Sequence, residues 1–469
     1  MRTTPRVLPE VVEINPRRFS KDISEDSLVS FVPMKSVEEE TGCVAAKQTR
    51  RWSEVKKGYT PFQDGDVIFA KITPCMENGK YALASGLHGG RAAGSTEFHV
   101  FRAKPELDPK YLLFFLFSPD VRREAKRNMR GAAGQLRVPA NFFEELQIPI
   151  PPLDEQRQIV AEVEMQFTRL EAGVASLKRV QIALKRYRAS VLKAACEGCV
   201  VPTEAKLAEG ENRKFETGEE LLARILTERR QWFDTQQADS KTKKKYVEPA
   251  QPETASLPLL PNGWTWGTWN QLSNWVTYGF TRPMPHVDDG IPIITAKGVA
   301  NRRIDFDRAH LTTKTAYEKL SEKDRPRSGD ILVTKDGTIG RAAVVDTRRD
   351  FCINQSVAVI WLRSCPMERK FMLTVIESEL TQKPIWAKAR GVAIQHLSIT
   401  DFARMPLPIP PLVEQTRIVA DVERRLSIVE ELEATVSASL QRAIRLRQSV
   451  LCKAFSRSLM SAIWNKQER

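Results

Sequence analysis

No stretch of this 469-residue sequence approaches the ~18 consecutive apolar residues that a membrane-spanning helix needs. The longest apolar run, Tyr111 to Phe117 (YLLFFLF), is far shorter and predicts a core helix. The first residues, MRTTPRVLPEVV, have no long apolar segment behind their charges. We therefore expect neither a membrane span nor a secretory signal.

Cysteine and histidine are scarce as well. The seven cysteines are spread along the chain, and their odd number favours a reducing, intracellular setting. Cys196 and Cys199 form a lone Cys-x-x-Cys pair, whereas a structural zinc site would need a second pair at similar spacing. The five histidines are scattered. The sequence thus predicts no metal site.

Catalytic motifs are missing too. There is no Asn/Asp-Pro-Pro-aromatic loop of an adenine methyltransferase and no GxxxxGK[ST] phosphate-binding loop, and the GTIG turn from Gly337 lacks the other glycines of a nucleotide fingerprint. A nuclease pattern can be forced onto Pro119-Asp120 and Glu124-Ala125-Lys126. These residues lie in a polar stretch that predicts a helix with surface ion pairs. We expect a chain that is not catalytic by itself.

Charge is plentiful and unbalanced. Lysine and arginine number 72 against 58 acidic residues, which gives a net charge of +14. Such a surplus favours a polyanionic partner, and nucleic acid is the commonest one. The length predicts two to four domains, at roughly 100–200 residues each.

An internal repeat organises the chain. Residues 148–164 (IPIPPLDEQRQIVAEVE) recur at 407–423 (LPIPPLVEQTRIVADVE), 259 positions later. The upstream segments RGAAGQ and RGVAIQ, which begin at Arg130 and Arg390, also match. Earlier still, GDVIFAK from Gly65 resembles GDILVTK from Gly329. The chain is therefore a tandem of two diverged units.

Each unit combines a mixed part and a long helix. The Gly-Asp segments and the β-branched runs after them predict short strands in an α+β fold. Proline is tolerated in a first helical turn but not inside a helix, so a long helix should begin after each Pro-Pro pair. An apolar stripe at near-heptad spacing follows the first pair, and we expect the two striped helices to pack on each other. Its residues are Ile159, Val163, Phe167, Leu170, Val174, Leu177, Leu184 and Val191.

These patterns predict five segments. They are a globular part at 1–150, a helix at 151–199, a linker at 200–260 with a short amphipathic helix at 219–232, a second globular part at 261–410 and a second helix at 411–469. If the roughly 44 residues between Pro152 and Cys196 are helical throughout, they would form a rod of about 66 Å.

The motifs together resemble the specificity subunit of type I restriction–modification enzymes. They are IPIPPLDEQ with its copy LPIPPLVEQ, GDVIFAKITPCMENGK (65–80), GDILVTKDGTIG (329–340), LPNGWTW and SVLKAA (190–195). The resemblance implies two tandem target-recognition domains, 1–150 and 261–410, with the two long helices packed as an antiparallel coiled coil. The first unit departs from the pattern because it lacks the LPxGW opening.

The resemblance also implies a function and partners. The subunit would recognise a bipartite double-stranded DNA target and direct two adenine-N6 methyltransferase subunits and two restriction subunits to it, in the bacterial or archaeal cytoplasm. S-adenosylmethionine, ATP and Mg²⁺ would be used by those partners, with no cofactor on this chain. The alternative is a stand-alone tandem DNA-binding regulator or architectural protein with a coiled-coil ruler.

Candidate DNA contacts are polar residues in turn-rich segments, because Arg, Lys, Asn and Gln read base edges and phosphates. Lys71 and Lys335 occupy matching places in the repeat and could share a phosphate role. The candidates are Lys71, Asn78, Lys80, Arg91, Gln135 and Arg137 in the first domain, and Lys297, Lys335, Thr338, Arg341, Gln395 and His396 in the second.

Candidate contacts to the methyltransferase lie at the starts of the long helices. They are Glu155, Gln156, Glu414 and Gln415 of the repeated Glu-Gln motif. Glu and Gln at these positions are also typical of helix capping, and the two roles are compatible. The segment 219–232 is a second candidate surface.

Overall fold

The computed structural model describes residues 5–45, 48–132, 134–238, 245–389 and 395–467, with side chains up to Phe455. The chain divides into two compact units: unit 1 (residues 1–179 and 436–469) and unit 2 (residues 180–435). No helix among the described residues is long and apolar enough to cross a membrane. Most of the predicted RGVAIQ segment and of the lysine run after Lys241 lies outside the described ranges.

Unit 1 is built from short strands and helices. Its strands are β1 (Pro5–Val7), β2 (Val12–Ile14), β3 (Leu28–Val32), β4 (Gln48–Arg51), β5 (Thr60–Gln63), β6 (Asp66–Ala70), β7 (Tyr81–Leu83), β8 (Arg91–Gly94), β9 (Phe98–Ala103) and β10 (Gln147–Pro149). Its short helices are α1 (Leu8–Val11), α2 (Trp52–Val55), α3 (Pro109–Phe117), α4 (Pro119–Arg127) and α5 (Ala140–Glu145).

Two four-stranded sheets form the body of unit 1. One has the order β2-β9-β6-β7, and the other has the order β4-β3-β8-β5 with β3 and β8 parallel. Strand β1 pairs antiparallel with β10. This pairing brings the start of the domain against its end, next to the first long helix.

The apolar run YLLFFLF forms helix α3, as predicted. All seven of its residues from Tyr111 to Phe117 are buried. The helix begins after Asp108, whose carboxylate accepts hydrogen bonds from the backbone N–H groups of Lys110 (2.9 Å) and Tyr111 (3.2 Å). A side-chain oxygen at this position satisfies donors that the first turn leaves free.

Three helices follow the first domain: the long α6 (Leu153–Cys196), α7 (Glu204–Gly210) and α8 (Gly218–Ala238). The expected helix start after the first Pro-Pro pair is confirmed. Helix α8 contains the predicted amphipathic segment 219–232. Its Leu221 and Ile225 are buried in the core of unit 2, so this part of the predicted linker belongs to the packed body of that unit.

Unit 2 contains the second domain. Its strands are β11 (Thr265–Thr268), β12 (Trp275–Tyr278), β13 (Ile291–Ile294), β14 (Val299–Ala300), β15 (Arg303–Ile304), β16 (His310–Thr312), β17 (Ile331–Thr334), β18 (Ala342–Val344), β19 (Cys352–Ile353), β20 (Val357–Trp361) and β21 (Pro406–Ile409). Its helices are α9 (Trp269–Leu272), α10 (Lys314–Glu318), α11 (Arg369–Glu377), α12 (Glu379–Ala387), α13 (Ile399–Ala403) and the start of the long α14 (Leu412–Gln467).

The sheets of unit 2 repeat those of unit 1. The order β12-β20-β17-β18 reproduces β2-β9-β6-β7, and the parallel pair β13–β19 corresponds to β3–β8. Strands β11 and β21 pair antiparallel as β1 and β10 do. The repeat seen in the motifs is therefore a duplication of the domain core, although the sheet that contains the parallel pair has four strands in unit 1 and three in unit 2.

The two long helices pack on each other within each unit. In unit 1, Val163 and Phe167 of α6 share a core with Leu451 and Phe455 of α14. In unit 2, Val191 of α6 shares a core with residues 418–426 of α14. The early part of each helix meets the late part of the other, so the pairing is antiparallel. None of the eight predicted stripe residues of α6 is exposed.

Candidate nucleic-acid interface

The structure brings three of the predicted residues of unit 1 together at the end of strand β6. Here the backbone N–H of Val138 donates to the carbonyl of Lys71 (2.8 Å), and Ile72 is bridged to Arg137. The chain around Gln135 therefore runs alongside the end of the strand. Lys71, Gln135 and Arg137 meet at this edge, although they are up to 66 positions apart in the sequence.

Arg137 is held in place by a carboxylate. Its Nε and Nη2 donate to the two oxygens of Glu97 at 2.9 and 3.0 Å. These hydrogen bonds lower the pKa of Glu97 below its ordinary value, so the pair stays charged. The guanidinium remains 41% exposed, which leaves part of its donor fork open to a ligand.

A cleft of about 680 Å³ opens beside this edge. Its lining is basic and aromatic, a combination typical of nucleic-acid sites. His99 at its floor is buried, and burial lowers the pKa of its imidazole; Nε2 contacts the carbonyl of Val138 at 2.8 Å. Besides Lys71 and Arg137, the cleft presents Arg17, Trp52, Lys56 and Tyr59.

Sequence reasoning missed those four cleft residues. The signal was present, because Lys56-Lys57-Gly58-Tyr59 sets basic charge beside an aromatic ring. The other four candidates of unit 1 do not line this cleft, although Gln135 lies in the segment that runs beside it. Asn78 donates to Glu39 (3.0 Å), Lys80 lies 4.0 Å from the same carboxylate, and Arg91 donates to the carbonyl of Gly89 (3.1 Å).

Unit 2 builds the same edge at the end of strand β17. The N–H of Leu397 donates to the carbonyl of Lys335 (2.8 Å), and Asp336 is bridged to His396. The N–H of Gly337 donates to the carbonyl of Gln395 (2.9 Å). Lys335 thus corresponds to Lys71, and His396 corresponds to Arg137.

The environments of the two matching lysines differ. Lys335 is only 5% exposed. Its Nζ lies 3.1 Å from Asp336 and 5.0 Å from the ring centre of Tyr278, whereas Lys71 is half-buried and lines an open cleft. The backbone positions match, but Lys335 has its charge engaged inside the protein. A common phosphate role for the two lysines remains a prediction.

Thr338 and Arg341 line a second cleft, of about 1200 Å³. It lies between the second domain and the long helices. Burial raises the pKa of one of its carboxyls, Glu377, above the ordinary value. Lys297, by contrast, is exposed in the turn after β13. The basic side chains of the cleft are Lys185, Arg188, Arg302, Arg303, Arg308 and Arg341.

The Glu-Gln motif has an internal role. Gln156 accepts from the N–H of Asp108 (2.8 Å) and donates to the carbonyl of Pro151 (2.8 Å). Gln415 likewise accepts from the N–H of Glu368 (2.9 Å) and donates to the carbonyl of Pro410 (2.9 Å). Both glutamines are fully buried, so their side chains are not available to a partner in this structure.

The two glutamates of the motif differ. Glu414 is fully buried and accepts hydrogen bonds from Trp264 Nε1 (3.0 Å) and from the N–H of Glu204 (2.8 Å). Glu155 is exposed. Of the four predicted subunit contacts, Glu155 alone presents its side chain to solvent, because the first domain lacks the LPxGW opening that supplies the tryptophan.

The residues considered above for catalysis or metal binding have structural roles. Asp120 and Glu124 lie on helix α4, where they pair with Arg123 (3.3 Å) and Arg127 (3.6 Å) on the surface, as predicted. Burial raises the pKa of the Cys196 thiol to about 12. In the described part of the chain, no group of three or more His, Cys, Asp or Glu side chains could hold a metal ion.

Residues 4–173 and 286–442 match the family model of the type I restriction modification DNA specificity domain. The two matches cover well over half of the chain and fall on both copies of the repeat. The chain belongs to this family. Every predicted DNA contact and the four Glu-Gln motif residues lie inside the matched ranges, whereas the second candidate surface at 219–232 lies outside them.

Relatives of this family resemble the chain over most of its length. The EcoEI specificity subunit of Escherichia coli is 26% identical over 497 residues, covering 94% of this chain and 81% of the relative. The EcoAI specificity subunit of Escherichia coli is also 26% identical, covering 94% and 80%. The chain is thus a type I specificity subunit by family.

The fold also has a solved counterpart. A chain from a structure described as "Structural basis underlying complex assembly and conformational transition of the type I R-M system" superposes with a TM-score of 0.63 at 20% identity. The match covers 97% of this chain and 95% of that chain. The mixed tandem domains and paired long helices are therefore a fold that this chain shares with that solved chain.

Proposed function

We propose that the chain recognises a bipartite DNA sequence, one half-site per domain, and directs methyltransferase and restriction subunits to it. The observation that carries the proposal is the duplicated strand edge. Lys71, Gln135 and Arg137 in unit 1 correspond to Lys335, Gln395 and His396 in unit 2, on domains of the same topology. The net charge of +14 supports a polyanionic ligand.

At this edge some residues suit contacts to bases and others suit contacts to phosphates. Arg137 and Gln135 carry donors of the kind that pair with guanine and adenine edges. Lys71, Lys56 and Arg17 line the cleft and suit phosphate contacts, which fix position without reading sequence. In unit 2, Arg341 and Thr338 line the second cleft, and His396 occupies the place of Arg137. Because the two sets differ, each domain would read its own half-site.

The long helices offer a surface for partner subunits. Apolar side chains on them remain exposed although the stripe itself is buried. We propose that methyltransferase subunits dock on these helices and cover the exposed apolar side chains. S-adenosylmethionine, ATP and Mg²⁺ would act on those partners and not on this chain. The exposed residues are Met165, Val180, Ile182, Tyr187, Ile428, Leu432, Ile444 and Leu446.

The test is co-expression with a cognate methyltransferase that carries the Asn-Pro-Pro-aromatic loop, followed by a genome-wide map of N6-methyladenine. We expect a two-part motif with a fixed unread gap that disappears when this chain is omitted. No new methylation in the presence of an active methyltransferase would contradict the proposal. Tight DNA binding by the chain alone would then favour a stand-alone regulator.

A matched pair of variants tests the site itself. Arg137→Ala should abolish or alter one half-site and leave the other unchanged, because the side chain belongs to one domain. Arg123→Ala, on the surface of helix α4 in the same domain and outside the cleft, is the control and should leave the motif intact. A change of both half-sites by Arg137→Ala would rule out the assignment of one half-site to each domain.

A further inference from the structure

Two arginines occupy the same place in the two long helices. Arg188 of α6 and Arg447 of α14 are 259 positions apart, the offset of the repeat. Each pairs with a glutamate of the opposite helix: Arg188 with Glu430 at 3.7 Å and Arg447 with Glu171 at 3.2 Å. The two glutamates are also 259 positions apart. The same interhelical pair is therefore built once in each unit.

Each arginine also touches the recognition domain of its own unit, again at equivalent places. Arg188 lies 3.7 Å from Glu377, the last residue of α11. The guanidinium of Arg447 lies 6.0 Å from the ring centre of Phe117, the last residue of α3. Helices α3 and α11 are nine residues long and hold the same place in the duplicated fold. One contact is an ion pair and the other is a cation–π contact.

The contact in unit 2 extends deeper into the domain. Glu377 also lies 3.5 Å from Arg302, in the tight turn between β14 and β15. Arg302 has a left-handed backbone (φ 62°), which is unfavourable for a residue with a side chain. Its Nη2 donates to Thr374 on α11 at 2.9 Å. A continuous chain of contacts thus joins this hairpin, α11, α6 and α14.

In unit 1 an aromatic cluster replaces this ionic chain. The guanidinium of Arg447 also lies 4.2 Å from the ring centre of Phe167 on α6. Arg447 is 18% exposed and Arg188 is 26% exposed. An arginine can serve three elements at once because its planar guanidinium offers five donors and a flat face. Both arginines are therefore placed to hold the domain of their own unit on the two long helices.

We propose that Arg188 and Arg447 are positioning residues that fix each recognition domain on the paired long helices and so set the number of unread base pairs between the half-sites. The inference about the unread gap rests on the proposed function. The mechanical part does not, because it concerns the orientation of a domain on the helices within one unit. The two parts are therefore tested by separate measurements.

The variant R188E/E430R separates the two contacts of Arg188. Exchanging the charges restores the pair between α6 and α14, but it places a second carboxylate beside Glu377. The contact between position 188 and Glu377 then becomes repulsive while the interhelical pair remains, and the reversed charge at position 430 offsets only the weaker, more distant influence of that position on Glu377. The matched control is Glu430→Gln, which weakens the interhelical pair and leaves the contact with Glu377 in place.

The mechanical measurement is the distance distribution between spin labels on the second domain and on α14. Labels carried by unnatural amino acids at the exposed residues Glu318 and Ser427 leave the native cysteines intact in the full chain. We expect a narrow distribution for the unmutated protein and for Glu430→Gln, and a several-fold broader one for R188E/E430R. A distribution for R188E/E430R as narrow as that of the unmutated protein would overturn the proposal.

Arg188→Met provides a second variant in case R188E/E430R fails to fold. It keeps the apolar stem and removes both ionic contacts, and it should broaden the same distribution. A narrow distribution for this variant would likewise overturn the proposal.

The gap is measured by methylation mapping with the cognate methyltransferase. R188E/E430R should methylate the same two half-sites at additional spacings, several-fold more often than the unmutated subunit does. A broadened distance distribution with an unchanged single spacing would overturn the link to the gap. If the unmutated chain directs no methylation at all, the proposed function fails, and the distance measurement still decides the mechanical part.

Discussion

At the residue scale, Gln156 and Gln415 show why the Glu-Gln motif appears twice. Each glutamine joins the carbonyl of the first proline in its Pro-Pro pair to the backbone N–H that precedes a domain helix. The start of the long helix is thereby tied to α3 in unit 1 and to α11 in unit 2. A shorter or apolar side chain would leave buried donors and acceptors unpaired, which costs free energy.

Replacement of these glutamines should therefore lower the free energy of unfolding. We expect Gln156→Ala and Gln415→Ala each to lower the free energy of unfolding by about 1–3 kcal/mol, because each leaves buried backbone groups unsatisfied. Gln158→Ala, at an exposed position on α6, should change it by less than about 0.5 kcal/mol. Denaturant unfolding checks both values. Equal effects at 156 and 158 would contradict the internal role.

Glu377 gives a prediction on pH. Burial raises the pKa of its carboxyl in the folded protein, and this effect outweighs the attraction of Arg302 and Arg188, with Glu430 adding repulsion. Between the unfolded and the folded pKa, the native state binds more protons than the unfolded state. The free energy of unfolding therefore falls as pH rises through that window, and the loss is complete above the folded pKa.

Glu377→Gln removes this titration. The stability of the variant relative to the unmutated protein should therefore increase as the pH rises above the ordinary carboxyl pKa. The variant also loses the ionic attraction to Arg302 and Arg188. This constant loss shifts its free energy of unfolding at every pH and does not change the pH dependence of the difference. Urea unfolding at a series of pH values measures the difference. A difference that shrinks with rising pH would show that the ion pairs outweigh burial.

At the scale of elements, two glycines in helices have opposite roles. Gly173 lies within α6, and a Cβ added there would meet no atom within 4 Å. Gly218 begins α8, and a Cβ added there would lie 2.0 Å from the carbonyl oxygen of Ile409. The first glycine merely weakens a helix, whereas the second allows α8 to approach the strand that precedes α14.

Alanine substitutions should separate the two. Gly173→Ala should raise the free energy of unfolding by about 0.5–1 kcal/mol, the helix-propensity difference. Gly218→Ala should lower the free energy of unfolding, because backbone must shift to relieve the contact. Thermal and denaturant unfolding of the two variants checks the signs. Stabilisation by both would mean that α8 is not closely packed.

At the scale of the whole molecule, the proposed function makes the paired helices the spacer between the two half-sites. A seven-residue insertion keeps the apolar stripe in phase and lengthens a helix by about 10 Å. DNA rises ~3.4 Å per base pair. One extra heptad after Arg179 of α6 and one after Ala438 of α14, the equivalent position, should lengthen both helices together.

The expected result is a gap about three base pairs longer with unchanged half-sites. Methylation mapping measures both features at once. The control is the same insertion in α6 alone, which puts the two stripes out of register and should destabilise the subunit. Altered half-sites with an unchanged gap would contradict the role of the helices as a spacer.

The sequence predicted much of this architecture, because the features concerned depend on short motifs or on repeating patterns along the chain. The duplicated Pro-Pro and Glu-Gln motifs located both long helices, since proline and the apolar stripe act within a few turns. The run YLLFFLF identified a core helix from its composition. The matching Gly-Asp strands placed Lys71 and Lys335 at equivalent positions. Each of these features depends on neighbours in the chain or on comparison of one copy with the other.

Only the tertiary structure decided the contacts between distant residues. Glu155 and Glu414 are equivalent in sequence, yet only Glu414 is buried, because Glu204 of the linker and Trp264 at the start of the second domain reach it. The cleft that gathers Arg17, Tyr59 and Arg137 arises from loops far apart in the chain. The sequence by itself determined the duplication, the helices and the family. Folding determined which side chains are exposed, because exposure depends on what packs over each residue and not on its own identity.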